Sequence, residues 1–567
     1  MELLKDNMKI RKIGILMTTL CLSTISSLAG CGDTSDKTSC DDLFGCSSTT
    51  SNNNPYLSSL NLLDESNNFS YKIDDTVDNS KSSANYELFV RTFYDSDGDG
   101  TGDLRGVIAK LPYLASLGIK NIWLMPINPS NSYHGYDITD YFDIESDYGT
   151  LADFSLLITE ANKLNIGIYL DLVINHSSSE NQYFKDSYRD LVEDNTSPTS
   201  KKDWYHWGTS GGTGWNKKGD YYYESVFSPN MPDFNLDSPG VREEIKNIVK
   251  FWIEKGISGF RLDAVPHYYG ENEGLNKSFL GWLKDTVNSI NNKIELVGEA
   301  WIISANSLVS YYTSKCDSFF AFPFSRDGTV ETGFLNVAGG YSKPDKFLSQ
   351  IVDYETSIRK NSATGYASYF IDNHDMDRST LTGDKAKLSF SLLELMPGDT
   401  WLYYGDEIGL KGKRGSEQTD AMRRLPMIWS EKDKTGETKI PDKTISNIKY
   451  DQVKLGADDL ENINDSLLNH VKKTINIRNK YSFIAKSQIT NLTSKLLTYE
   501  NNVALYKLTG SDSQSIIIAT NTSSNDTVIN VKDIATKIVD SIDTTKKGPT
   551  LVSDLLSIGA YSTVILQ

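Results

Sequence analysis

Apolar and polar residues recur along most of this chain in two rhythms, one suited to strands and one to helices. Residues 86–93 read as a strand, 104–117 as an amphipathic helix and 119–126 as a second strand. A helix over 150–164 follows, opened by Thr150 and Asp153 as a capping pair. Residues 166–175 are almost continuously apolar, as a parallel strand covered on both faces must be. Residues 257–263, 294–299, 369–373 and 401–405 repeat that strand pattern. Alternation sustained over about 400 residues predicts an α/β fold, a (β/α)8 TIM barrel whose active site lies where the strands end. The alternative is a doubly wound open sheet, but no glycine-rich phosphate loop follows the first strand.

Two stretches break the alternation. The insert 177–234, after the third strand, carries Trp204-Tyr205-His206-Trp207 and Tyr221-Tyr222-Tyr223. An excursion of that length is a functional loop or a small subdomain. After a helix over 462–480 the pattern turns to short β-rich runs such as VALYKL and SIIIAT. These predict an antiparallel β-sandwich domain over 487–567. The barrel is therefore assigned to 85–176 and 235–486.

Upstream the rhythm is lost. Residues 31–84 are rich in Ser, Asn, Asp and Thr, as in SSTTSNNNP at 47–55, and read as a flexible tether. Residues 1–30 read as a signal peptide: Lys5, Lys9, Arg11 and Lys12 precede a short apolar stretch, and Leu28-Ala29-Gly30-Cys31 follows. The pattern resembles a bacterial lipobox, in which the mature chain begins at a lipidated Cys31. The apolar stretch is too short to span a bilayer comfortably. The expectation is an extracytoplasmic protein, lipid-anchored to the cell membrane or cell surface. Cys21 would leave with the signal, Cys40 and Cys46 are near enough to close a small loop, and Cys316 reads as a buried thiol.

Composition narrows the partners. A net charge of −18 and a pI near 4.9 argue against nucleic acid or an anionic membrane surface. The 567 residues exceed one ordinary domain, and a hydrophobic share of 38% supports a sizeable core.

Three strand-like runs end in a carboxylate: GFRLDAV at Asp263, ELVGEAW at Glu299 and FIDNHD at Asp375. Burying a carboxylate costs several kcal/mol unless it is paired or used, so three on separate strands suggest one acid-lined site. At the end of the first strand, DSDGDGTGD (95–103) alternates carboxylates with glycines, which suits a hard cation. Asp95, Asp97, Asp99 and Asp103, with the carbonyl of Thr101, are expected to wrap one Ca²⁺. The distal Glu of an EF-hand is lacking, which rejects that reading.

These strings resemble, in order, the conserved regions of the α-amylase family, glycoside hydrolase family 13. DLVINH (171–176), MPDFN (231–235), GFRLDAVPH, LVGEAW, FIDNHD and YYGDEIG (403–409) carry the resemblance, which covers nearly everything from Tyr86 to Gln567. It implies that Asp263 is the nucleophile, Glu299 the general acid and then base, and Asp375 the carboxylate that holds sugar hydroxyls and stabilises the transition state. Arg261, two residues before Asp263, points to the same side of its strand and can keep that carboxylate ionised. His176 and His374 resemble the histidines that bind hydroxyls of the cleaved sugar. Tyr136 and Asp137 resemble its stacking platform and hydroxyl acceptor, and His134 and His267 also sit in these motifs. Asn175 resembles a further calcium ligand of the family.

The implied activity is retaining endo-hydrolysis of α-1,4-glucosidic bonds in starch, glycogen and maltooligosaccharides by a monomer. Pro266-His267 stands where family α-amylases commonly carry Lys-His, and MPDFN resembles the group between α-amylases and oligo-1,6-glucosidases. The enzymatic alternatives are thus an α-glucosidase, an oligo-1,6-glucosidase or a 4-α-glucanotransferase. The non-enzyme alternative, a surface starch-binding protein, would tolerate loss of Glu299, and this chain retains it.

Overall fold

The computed structural model describes residues 83–326, 328, 333–414, 419–442, 451–496 and 502–567. The proposed signal peptide, Cys31, Cys40, Cys46 and the tether up to residue 82 lie outside the described residues.

Eight parallel strands close into a barrel: β1 (Ala84–Leu88), β2 (Asn121–Leu124), β3 (Gly167–Leu172), β4 (Gly259–Leu262), β5 (Glu295–Gly298), β6 (Ser318–Phe320), β7 (Tyr366–Phe370) and β8 (Asp399–Tyr403). Each pairs with the next in sequence, and β8 returns to β1 with Ala84 opposite Thr400. All side chains of β1, β2 and β4 are buried, because helices cover the outside and packed residues fill the inside. Trp123, Tyr169, Val297, Phe320, Phe370 and Trp401 form one such inner cluster.

The helix Leu104–Leu117 has the bounds expected from its pattern, starting at Asp103, whose side chain accepts from Gly106 N, and stopping at Gly118 in the left-handed region (φ 86°). The helix Leu151–Lys163 begins with the Thr150–Asp153 capping box. Several strands are shorter or shifted. The first leaves the ladder at Leu88, and a 3-10 turn over Val90–Thr92 satisfies the backbone instead, with Phe93 N donating to Val90 O at 3.2 Å. The seventh runs over Tyr366–Phe370 rather than 369–373, which frees the following residues to form the loop that carries His374 and Asp375. The helix expected over 462–480 starts only at Leu467 and runs to Lys480, opened by Ser466, whose side chain accepts from Asn469 N, and a separate short helix, Ala457–Glu461, precedes the expected range. The strand Ser318–Phe320, only three residues long, was not anticipated.

The insert folds as a helix, Gln182–Val192, beside a three-stranded antiparallel sheet with Tyr221–Glu224 between Trp207–Gly208 and Trp215–Lys218. Phe184 packs on Tyr205, Trp207 and Tyr223 to give it a core. Bridges from His176 to Asp233 and from Tyr205 to Phe234 fasten its two ends together. Beyond Ser487 come a five-stranded and a three-stranded antiparallel sheet, which enclose Val503, Leu505, Ile529, Leu556, Val564 and Leu566. Each such aliphatic side chain contributes about 1.5–3 kcal/mol when fully buried. Among the described residues, no helix is long and apolar enough to cross a membrane.

Candidate active site

The barrel strands deliver the three carboxylates to one place. Asp263 directly follows β4, Glu299 directly follows β5, and Asp375 sits in the loop after β7. Arg261 ties the first two together. Its guanidinium is 1% exposed and places Nη1 2.6 Å from Asp263 Oδ1 and 2.8 Å from Asp171 Oδ1, with Nη2 3.1 Å from Glu299 Oε2. The alternation of a strand puts residues 261 and 263 on one side, which is why the arginine reaches the carboxylate two positions on. Ala264 N adds a 2.8 Å hydrogen bond to Glu299 Oε2.

Burial raises the proton affinity of both Asp263 and Glu299, and Arg261 opposes that rise in each. Their neighbours then separate them. Asp375 pushes both upward, but Asp263 carries a direct hydrogen bond from Arg261 and is drawn down by His374, whereas Glu299 is pushed up by Asp263 as well. Two carboxyls placed so differently suit different tasks, the more negatively surrounded one keeping a proton to give away. Asp375 behaves in the opposite way. Burial works against its charge, but His374 and Arg424 outweigh burial and hold it well below the usual carboxylate range. Arg424 Nη2 lies 2.6 Å from Asp375 Oδ1 and His374 Nε2 lies 3.1 Å from Oδ2.

Tyr136 closes the site from the loop after β2. Its ring stacks on His374 at 5.7 Å and 14°, and its hydroxyl lies 2.7 Å from His374 Nε2 and 3.0 Å from Asp171 Oδ2. His176 is buried, which pushes its pKa down to about 4, so its neutral ring donates through Nε2 to Tyr136 O at 3.2 Å. Asp137 Oδ1 accepts from Ser130 Oγ at 2.6 Å and from Ser132 Oγ, and Ser132 Oγ also lies 3.1 Å from His134 Nδ1. Phe227 of the insert leans on His267 at 4.8 Å and on His176 at 5.5 Å, which brings the insert to the rim of the site. Two carboxylates at the ends of neighbouring strands, one arginine between them and a third carboxylate held charged can cleave an acetal such as a glycosidic bond.

Comparison with known proteins agrees with that chemistry. A model of the α-amylase catalytic domain matches residues 87–487. Alpha-amylase 3 of Dictyoglomus thermophilum is 36% identical over 500 residues, covering 85% of this chain and 92% of its own. The chain belongs to the α-amylase family, glycoside hydrolase family 13. An oligo-1,6-glucosidase of Parageobacillus thermoglucosidasius is 28% identical over 530 residues, covering 79% of this chain and 91% of its own. Among solved structures, Eubacterium rectale Amy13B superposes with a TM-score of 0.80 at 35% identity, covering 87% of this chain and 96% of that one. This family member is therefore a glycosidase, built on the expected barrel.

Three residues of the site were not singled out by sequence reasoning. Asp171 was visible as the one polar residue in the apolar strand GIYLDL. Glu87, near the end of β1, lies 2.5 Å from His374 Nδ1. Arg424 comes from beyond β8, and no local signal connected it with Asp375.

In the loop after β1, Asp95, Asp97 and Asp99 offer oxygens that all lie within 4.8 Å of one another. Asp95 is buried and accepts from the amides of Gly98 and Gly100, both at 2.7 Å. Thr101 N donates to Asp99 Oδ1 at 2.6 Å. Asp103 is occupied differently, accepting from Ser96 N, Ser96 Oγ and Gly106 N. Among the described residues, no ion pair offsets the three gathered carboxylates; Lys439 Nζ binds the Asp99 carbonyl at 2.8 Å. Asn175 Nδ2 donates to Asp233 Oδ1 at 3.0 Å.

Proposed function

We propose that this glycosidase is a retaining α-amylase that cleaves α-1,4 bonds inside α-glucans and maltooligosaccharides. Asp263 Oδ1 is taken up by Arg261, which leaves Oδ2 to attack the anomeric carbon. Glu299 Oε2 is taken up by Ala264 N and Arg261, which leaves Oε1 to carry the proton delivered to the departing oxygen. The C–O bond breaks as the Asp263 ester forms. Glu299 then takes a proton from water, whose oxygen replaces Asp263 at that carbon and regenerates both carboxyls. Asp375, held by Arg424 and His374 but with 29% of its side chain exposed, has lone pairs left to accept sugar hydroxyls.

The observation that carries the choice of a chain-like substrate is Trp301. It lies two residues beyond Glu299, is 41% exposed and is propped on Phe322 at 4.9 Å and 26°. A rigid indole beside the acid gives a stacking face for a glucosyl unit on the leaving side. Phe227, 46% exposed above His267, gives a second. The second reading is an α-glucosidase, oligo-1,6-glucosidase or 4-α-glucanotransferase, favoured by the similarity to an oligo-1,6-glucosidase and by Pro266-His267. Following products on amylose, maltoheptaose and isomaltose over time tests the two. Mixed oligosaccharides released from amylose before glucose support the first reading; glucose from the outset, or preferred cleavage of isomaltose, supports the second.

We further propose that Asp95, Asp97, Asp99 and the Thr101 carbonyl hold Ca²⁺, which would supply charge neutralisation and stiffness to this loop rather than chemistry, while Asp103, expected from the sequence to join them, instead caps the following helix through Gly106 N and binds Ser96. The clustered donors are of the hard-oxygen kind such an ion takes. The lipobox-like Leu28-Ala29-Gly30-Cys31 supports an extracytoplasmic enzyme anchored through Cys31.

A further inference from the structure

Glu87 occupies the penultimate position of β1, 3% exposed, at the floor of the site. Its Oε1 lies 2.5 Å from His374 Nδ1 and 3.3 Å from His374 N, so one carboxylate oxygen meets both ring and backbone of the residue preceding Asp375. The far side of the ring poses a problem of proton count. Nε2 faces two oxygens, Tyr136 Oη at 2.7 Å and Asp375 Oδ2 at 3.1 Å. Tyr136 Oη also faces Asp171 Oδ2 at 3.0 Å and has one proton to give. A neutral ring donating from Nδ1 to Glu87 would turn an Nε2 lone pair toward the Asp375 carboxylate. It would also compete with Asp171 for the tyrosine proton. A doubly protonated ring removes both conflicts: Nδ1–H donates to Glu87, Nε2–H to Tyr136 and Asp375, and Tyr136 O–H to Asp171.

We propose that Glu87 is a positioning residue that holds His374 as an imidazolium, and through it keeps Asp375 charged and aimed at the sugar.

Charged and titratable groups act on this ring from several elements: Glu87 from β1, Tyr136 from the loop after β2 and Asp375 from its own loop by contact, and Asp171 from β3 and Asp263 from β4 through their charge. Arg424 lies behind it, donating from Nε to His374 O at 3.1 Å, and Tyr403 of β8 acts on Glu87 and Arg424. Burial alone would strip the proton, but Asp375 and Glu87 reverse that effect and push the ring up to about 10. Glu87 is thereby coupled to the reaction without touching substrate.

The proposal rests on the reading of Asp375 as the carboxylate facing the sugar, and the test separates the two. Nitrogen-15 NMR of histidine-labelled enzyme, with the His374 signals assigned by loss in His374→Asn, reports the ring directly in the resting protein. Both ring nitrogens should remain protonated at pH 8 in the wild-type enzyme. In Glu87→Gln the ring should titrate below that pH. The alkaline limb of kcat should move acidward by a unit or more, about a tenfold loss where wild type is still on its plateau, with Glu87→Asp recovering part of it. A neutral His374 ring at pH 8 in the wild-type enzyme overturns the proposal even if no variant folds. So does a Glu87→Gln enzyme with an unmoved pH profile. If instead Asp375→Asn stays active while the ring titrates as stated, the reading of Asp375 fails and the Glu87–His374 coupling stands.

Discussion

The amide of Ala264 donates to Glu299 Oε2 at 2.8 Å, so the residue that follows Asp263 also holds the other carboxyl of the pair. Ala264 adopts φ 50° and ψ 39° to do so, a left-handed conformation that costs a non-glycine residue about 1–2 kcal/mol. Strain of this kind persists where the surrounding structure demands it, here between β4 and β5. Asp263→Asn and Glu299→Gln should each lower kcat by several orders of magnitude while calorimetry still detects maltooligosaccharide binding. Retention of more than about a tenth of wild-type turnover in either variant contradicts the assigned roles.

Chelation should lower the melting temperature more than the initial rate, because the acidic loop after β1 stands apart from the Arg261 network and an ion there stabilises only the folded state. Asp97 and Asp99 are exposed, so replacing both by Ala should leave the fold intact and abolish the chelator effect. A variant that still loses stability to chelator places the metal elsewhere.

Much of this site was legible because its residues are unusual where they stand. Asp263, Glu299 and Asp375 interrupt or end apolar runs, and histidine is rare enough in this chain that four of six fell within motifs. What sequence could not supply was pairing across the barrel. Glu87 looks like any strand-end acid until β1 is set two strands from the loop of β7 that carries His374. Arg424 acquires meaning only when the segment after β8 folds over Asp375. The strand Ser318–Phe320 was missed because three residues cannot display a period, and its place is fixed by pairing with β5 and β7 on either side. The strand ends moved for a related reason: the apolar pattern runs on beyond the ladder into loops that are also buried.

Glu394 tests the electrostatics of the interior away from catalysis. It is fully buried, and burial pushes its pKa up to about 7 against the pull of Arg478 and a 2.7 Å hydrogen bond from Thr400 Oγ1. A carboxyl whose folded pKa is raised contributes stability below its unfolded pKa and loses it as pH rises through the folded value. Glu394→Gln cannot titrate. Its melting temperature relative to wild type should therefore rise between pH 5 and pH 8, and a difference that is flat across that range contradicts the argument.

The anchor has its own test. Cys31→Ser should remove acyl chains from the N-terminus and release the enzyme from the membrane fraction, with specific activity preserved, since two or more chains are needed for lasting attachment. Acylated, membrane-bound Cys31→Ser enzyme contradicts the lipobox reading.

The central claim is that Asp263 forms a bond to the sugar before water does. Two displacements at one carbon retain its configuration. Proton NMR of maltooligosaccharide cleavage in the first minutes, before mutarotation, reads this directly. The α-anomer should appear first at the new reducing end; the β-anomer appearing first would exclude Asp263 as the nucleophile.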